Sequence, residues 1–378
     1  MNPAPGMRAC VLLAALGASA CWSTDGGGAS GDGGGGQLTL TGAGATFPYP
    51  IYSRWFGTYS DNNPVRVNYQ PVGSGGGIRQ MIEGVVDFGA TDAPLTAEDL
   101  ARMPGTLSIP MVIGSVAITY NLPGLDRPLR LDGPTVAAIF RGEITRWRAP
   151  RLMALNPGAG LPDRDIIAVH RSDGSGTTYV FTDYLAGVSP SWRTDVGRGN
   201  AVRWPTGLGA RGNEGVTGQI RHIEGAIGYV EQVFAAQNEL PMALLENPNG
   251  EFVAPSVAAA TAAAAGFEER IATNDDFRLS IVNSPSPGAY PVSSWTYLLV
   301  APQIEECRRA EALADLIEWS LMEGAEAAEA LDYAPLTLEI RVRALEALKA
   351  VTCGPGRRPV IDPGEDFGRY LPGPRAVT

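Results

Sequence analysis

The chain has 378 residues, 44% of them hydrophobic and 18% charged. That composition excludes a disordered or fibrous polypeptide and leaves room for two domains of ordinary size. The net charge of −11 leaves no basic footprint, which excludes nucleic acid as a partner. An anionic ligand would have to be held by local dipoles and a few placed charges, because the global charge is mostly screened beyond roughly 8–10 Å.

The chain opens with Arg8 and the apolar run Val11-Leu12-Leu13-Ala14-Ala15-Leu16, followed by Gly17-Ala18-Ser19-Ala20-Cys21. This pattern predicts a secretory signal over residues 1–20. The run is too short to cross a bilayer as a helix. The segment resembles a bacterial lipoprotein signal, with Ala18 where leucine is commoner and Cys21 as the lipidated first residue of the mature chain. A plain secreted protein cut nearby is the other reading. Residues 21–37 contain GGGASGDGGGG, the composition of a flexible tether.

Strand and helix patterns then alternate. Leu38-Thr39-Leu40-Thr41 predicts a strand ending in Gly42-Ala43-Gly44-Ala45, with Pro48 and Pro50 in the first turn of the following helix. Val65–Tyr69 is a second strand, ending in Gly73-Ser74-Gly75-Gly76-Gly77. Val85–Ala90 is a third, ending in Thr91-Asp92-Ala93-Pro94. Ile166–Val169 is another, ending in His170-Arg171-Ser172-Asp173-Gly174-Ser175-Gly176-Thr177. The alternation predicts an α/β fold with parallel sheet character. Val116–Asn121 and Trp295–Val300 read as long strands that divide the body. Residues 38–118 with 290–353 are expected to form one lobe, and 119–289 the other.

Three Gly/Ser/Thr turns, at 42–47, 73–77 and 174–177, follow strands and begin helices. Each offers unpaired backbone N–H groups at a helix N-terminus, which favours an anion. In open α/β sheets ligands bind at the carboxyl ends of strands, where these turns lie. Taken alone, any one turn is weak evidence, and 174–177 reads first as a plain helix cap. Arg171 supplies the set with a full positive charge, and Asp173 is close enough to hold its guanidinium. Arginine as such says little here, since Lys349 is the only lysine among 29 basic residues; its position before the glycine turn is what counts. Asp92 is the odd member. A carboxylate beside an anion is unfavourable unless the anion carries a proton for it to accept, as phosphate does near neutral pH and sulfate does not.

Two helical patterns follow, at about 303–322 and 336–352. Cys307 opens the first and Cys353 closes the second. If the helices pack antiparallel, both cysteines lie at one end, where an oxidising compartment would let them pair. Two separate buried thiols is the alternative. The tail, 354–378, is rich in proline, glycine and arginine and is expected to be mostly unpacked.

The blocks TGAGATFPYPIYSRW, VNYQPVGSGGGIRQMI, VDFGATDAPL, RSDGSGTTYVFTDYL and WPTGLGARGNEGV resemble, in order, those of the phosphate-binding subunit of bacterial high-affinity phosphate ABC transporters. LDGPTVAAIFRGEITRW, EGAIGYVE and LDYAPL are similar to further blocks, so the likeness runs from residue 38 to about 350. The resemblance implies a two-lobed periplasmic-binding-protein fold of type II-like form, with a ligand cleft between lobes joined by two hinge strands. It implies that Thr46, the Phe47 backbone, Ser74 and Asp92 hold phosphate from one lobe. Arg171, Ser175, the Gly176 backbone and Thr177 would hold it from the other, with Asp173 orienting Arg171. Gly75 stands where many relatives carry a second serine. The implied partners are inorganic phosphate and the permease and ATPase subunits of an ABC importer. The protein is then expected to be a monomer, anchored by lipid in the periplasm or at the cell surface, or else soluble there.

Enzymatic readings find little footing. Neither Ser74 nor Ser175 sits in a Gly-x-Ser-x-Gly elbow, and His170 and His222 are the only histidines. Lys349 is far from every glycine turn, which excludes a P-loop, and no His/Cys cluster suggests a metal. No catalytic residue, metal or cofactor is expected. A phosphatase-like enzyme, or a phosphate sensor on the same fold, are the alternatives.

Overall fold

The structure, a computed structural model, describes residues 37–267, 270 and 277–371. The expectations for residues 1–36, Cys21 included, fall outside the described residues.

A nine-stranded sheet organises the chain. Its strands are β1 (Leu38–Gly44), β2 (Val65–Gln70), β3 (Phe88–Thr91), β4 (Leu107–Tyr120), β5 (Ile167–Arg171), β6 (Leu208–Ala210), β7 (Ala226–Glu231), β8 (Ser293–Val300) and β9 (Ala334–Pro335). They lie in the order β2-β1-β3-β8-β4-β7-β5-β6, with β9 beside β4. β1 runs parallel to β2 and β3, and β5 parallel to β6 and β7. Each parallel group sends its carboxyl ends, with their turns, the same way. The helices that matter here are α1 (Tyr49–Asn62), α2 (Ser74–Ile82), α3 (Ala97–Arg102), α4 (Gly176–Val188), α5 (Gly212–His222), α6 (Cys307–Met322) and α7 (Leu338–Leu348).

The 14-residue β4 changes partner along its length. Leu107–Ser115 pairs antiparallel with β8, and Val116–Tyr120 pairs antiparallel with β7. It therefore belongs to both halves of the sheet. Nearly every residue of β4 and β8 is buried, as expected of strands covered on both faces. In the first half, Tyr52 meets Tyr69 and Phe56 meets Phe88 edge to face, and the Tyr69 and Phe88 rings stack, between α1 and the sheet.

The third strand starts later than its apolar run suggests. Val85 is exposed, and Asp87 takes a side-chain role: its Oδ2 accepts from the Thr41 N–H at 2.6 Å. The first cysteine helix also starts late, at Cys307, because Gln303–Ile304 forms a short strand beside Thr352–Cys353.

Residues 354–371 correct the expectation of an unpacked tail. Arg358–Pro359 pairs with Thr352–Cys353, and the Phe367 ring is buried in the core. Lys349 Nζ and the Arg369 guanidinium sit 5.4 and 5.8 Å from that ring, and Lys349 Nζ also donates to the Glu365 carbonyl at 2.6 Å. One aromatic ring between two cations pins a segment whose composition otherwise reads as loop.

Cys307 and Cys353 are joined by a disulfide across 46 residues of chain. Closing a loop of that length should stabilise by roughly 4 kcal/mol in the chain-entropy model. Cys353→Ser is therefore expected to lower the denaturation midpoint of the non-reduced protein clearly. An unchanged midpoint, or two free alkylatable thiols in the native protein, would contradict it.

Candidate functional site

The turn after β1 places Thr46, 3% exposed, directly before α1. α1 has no side-chain cap, since Pro48 occupies the N-cap. The turn after β2 brings Ser74 to the first position of α2, whose N-cap is Gly73 with φ of +89°. A side chain at Gly73 would be strained and would also meet Asp173 Oδ2 at 2.5 Å. The turn after β5 carries Ser175, which caps α4 by accepting from the Thr178 N–H at 3.1 Å. Ser175 is thus a cap, as its context alone suggested, and its hydroxyl proton stays available.

These turns meet. The Gly176 N–H donates to Ser74 Oγ at 3.0 Å, and the Gly75 N–H donates to the Gly174 carbonyl at 3.0 Å. A Cβ at residue 176 would lie 2.5 Å from Asp92 Oδ2 and 2.6 Å from Ser74 Oγ, so three groups from three turns converge where only glycine fits. Arg171 Nη1 reaches Thr177 Oγ1 at 3.4 Å. Ser74, Asp92, Arg171, Ser175 and Thr177 are all buried.

Asp173 accepts from Arg171 Nε at 2.8 Å, from Nη2, and from the Gly212 N–H at 3.1 Å. Burial pushes the Asp173 carboxyl up, but the Arg171 hydrogen bonds and charge and the Gly212 N–H outweigh it and hold it below its usual range. The Arg171 N–H itself donates to the Tyr229 hydroxyl at 3.1 Å, which fixes the backbone end of the guanidinium arm.

Asp92 behaves differently. It is 1% exposed, and neither carboxyl oxygen has a hydrogen-bond partner. Burial raises its pKa to about 8, against the lowering pull of the Arg171 charge and the nearby Thr296 hydroxyl. Nor does it cap the next helix: Thr96 caps α3 in a reciprocal box with Asp99. A buried carboxyl without a partner, next to a guanidinium, a helix N-terminus and hydroxyls, is a polar group in need of a ligand.

The Phe47 ring packs against Tyr333, whose hydroxyl donates to the Phe47 carbonyl at 2.6 Å and lies 3.2 Å from Glu231 Oε2. Glu231 is fully buried, which raises its pKa well above the ordinary value. His170 has no place among these groups: its ring stacks on Trp204 at 4.6 Å and its Nδ1 is 3.0 Å from the Arg171 carbonyl.

Sequence reasoning passed over Asn213, Glu231 and Tyr333. Asn213 is fully buried at the start of α5. Its signal was present in ARGNEGV, another glycine turn between a strand and a helix. Glu231 and Tyr333 carry no local mark of their location.

A family model for the PBP superfamily domain matches residues 28–323. The "Phosphate-binding protein PstS" of Pasteurella multocida (strain Pm70) is 43% identical over 303 residues, 80% of this chain and 87% of that protein. The chain belongs to the PstS phosphate-binding protein family. The PstS-family assignment is joined by solved structures that share its fold. A high-affinity periplasmic phosphate-binding protein, solved with phosphate at pH 8.5, is 21% identical with a TM-score of 0.65; the match covers 86% of this chain and all of that one. The phosphate-binding protein of Stenotrophomonas maltophilia is 20% identical with a TM-score of 0.64, over 83% of this chain and 94% of that one. The fold is accordingly the two-lobed periplasmic-binding architecture expected from the motifs.

Proposed function

We propose that this chain binds inorganic phosphate outside the cytoplasm and delivers it to the permease and ATPase subunits of an ABC importer. The observation that carries the proposal is the buried, unpartnered Asp92 carboxyl among converging donors. Such a site suits a compact tetrahedral anion that accepts from many donors and keeps one proton of its own. Thr46, the Phe47 N–H, Ser74, Arg171, Ser175 and Thr177 are assigned as donors, with the Gly176 N–H joining them when the anion replaces Ser74 Oγ as its acceptor, and Asp92 as the acceptor of the phosphate proton. Asp173 orients Arg171. Residues 38–118 and 290–353 are taken as one lobe and 119–289 as the other, supported by the change of partner along β4 at Ser115 and Val116. Membership of the PstS family supports the substrate and the transporter.

The proposed protein is a binder, not an enzyme. Purified protein should release about one inorganic phosphate per chain on denaturation and should leave a chromogenic phosphate ester intact. Turnover of the ester would favour the phosphatase alternative, and no released phosphate after growth in phosphate would count against the binder.

The lipid anchor at Cys21 is part of the same proposal. Among the described residues no helix is long and apolar enough to cross a membrane. Cys21→Ser should leave the signal uncleaved or release the protein from the membrane fraction. A serine variant that is processed and still sediments with membranes would overturn the anchor.

A further inference from the structure

Asn213 is a fully buried amide with both ends engaged. Its Oδ1 accepts from the Glu231 N–H at 3.2 Å, which fixes the orientation of the amide: the NH2 end must face the other way. That end donates to Thr46 Oγ1 at 3.0 Å and lies 3.5 Å from Thr177 Oγ1. Thr46 follows β1 in one half of the sheet, while Thr177 and Asn213 follow β5 and β6 in the other. One amide therefore spans the cleft and touches one hydroxyl from each side.

The consequence follows from what a hydroxyl can do. It has one proton to donate and two lone pairs with which to accept. Thr177 Oγ1 faces two donors at the edge of hydrogen-bond reach, Arg171 Nη1 at 3.4 Å and Asn213 Nδ2 at 3.5 Å, so its lone pairs point at donors and its proton points elsewhere. Thr46 Oγ1 accepts from Asn213, which likewise turns its proton away from the amide. A free hydroxyl is indifferent between donating and accepting; these two are set to donate. An anion with mostly unprotonated oxygens needs such preset donors, which need not reorient when it arrives.

Resting on the phosphate-binding reading above, we infer that Asn213 is a positioning residue for the anion: it bridges the two sides of the cleft and fixes the Thr46 and Thr177 hydroxyls as donors. It acts through the two threonines and does not itself contact the ligand. The Glu231 backbone anchors it, and the Glu231 side chain meets Tyr333, which holds the Phe47 carbonyl; the two threads thus start from one residue at the end of β7.

A double-mutant cycle separates this role from simple support of the fold. Phosphate dissociation constants are measured by calorimetry on phosphate-stripped full-chain protein for the native form, Asn213→Ala, Thr46→Val with Thr177→Val, and the triple variant. Asn213→Ala should weaken phosphate binding about tenfold, the scale of one or two hydrogen bonds. Added to the threonine pair, the same change should cost less than about twofold, because the groups it acts through are gone. The full tenfold loss in the triple variant would overturn the inference, since support of the fold is independent of the threonines. Should Asn213→Ala fail to fold, Asn213→Asp keeps the shape and the bond from Glu231 but loses both donors. It should lose at least as much affinity as the alanine change predicts, and native affinity in that variant would overturn the inference. Native protein that binds no phosphate would remove the underlying reading, whereas native binding with additive variants would remove only the role of Asn213.

Discussion

Arg171→Ala should weaken phosphate binding by at least about tenfold, because one charge-assisted hydrogen bond to a buried anion contributes roughly 1.5–3 kcal/mol. The loss should exceed that of a surface arginine for a second reason. Asp173 is mostly buried, and its carboxylate is held by the Arg171 fork and the Gly212 N–H. Truncating Arg171 leaves that negative charge beside the site with a single backbone donor, so repulsion adds to the missing attraction. Arg171→Lys should restore only part of the affinity, since an ammonium cannot bridge Asp173 with two parallel bonds and still face the ligand. Thr177 Oγ1 also loses a donor in the alanine variant. Calorimetric titration of the two variants decides the matter, and near-native affinity in the alanine form would move the anion elsewhere.

At fixed pH above 8, Asp92→Asn should raise sulfate affinity relative to phosphate by at least about tenfold, since an unpaired charge facing a ligand costs several kcal/mol. The two anions share shape and size, and the Gly/Ser/Thr turns and Arg171 only donate. They differ in the proton that phosphate keeps. An ionised Asp92 accepts the hydrogen bond from that proton, and it meets sulfate with like charge. The pKa of about 8 adds a direction in pH. Below that value the Asp92 carboxyl holds a proton and can donate to sulfate; above it the carboxylate repels sulfate. The native dissociation constant for sulfate should therefore rise as pH increases through about 8, by up to about tenfold per pH unit by proton linkage. In Asp92→Asn that slope should disappear, because the amide does not titrate. A phosphate-to-sulfate ratio that is the same in native and variant protein would exclude Asp92 as the filter.

The turns were legible in the sequence because each has a local signature. Gly44, Ser74 and Ser175 stand between an extended apolar run and a helical one, and that pattern fixes a helix N-terminus without reference to anything distant. That the turns meet was not legible. The Gly176-to-Ser74 bond joins residues 102 apart, and it depends on β4 pairing with β8 in one half and β7 in the other. Asn213 had a local signature as well, but glycines and an asparagine before a helix suit a plain cap equally. Glu231 and Tyr333 are legible only in three dimensions: a carboxyl ending a strand and a tyrosine in a short apolar block acquire a role from the fold that surrounds them. In 354–371 composition misled, because Phe367 closes onto Lys349 from 18 residues away, and proline and glycine content carries no information about one buried ring.

The most direct test of the central claim is a calorimetric titration of phosphate-stripped native protein, first with phosphate and then with sulfate, at fixed pH above 8 and fixed salt. The predicted result is one phosphate bound per chain and sulfate bound at least about a hundredfold more weakly, the scale of a buried charge facing an unprotonated anion. Sulfate binding as tightly as phosphate, or no phosphate binding at all, would contradict the account.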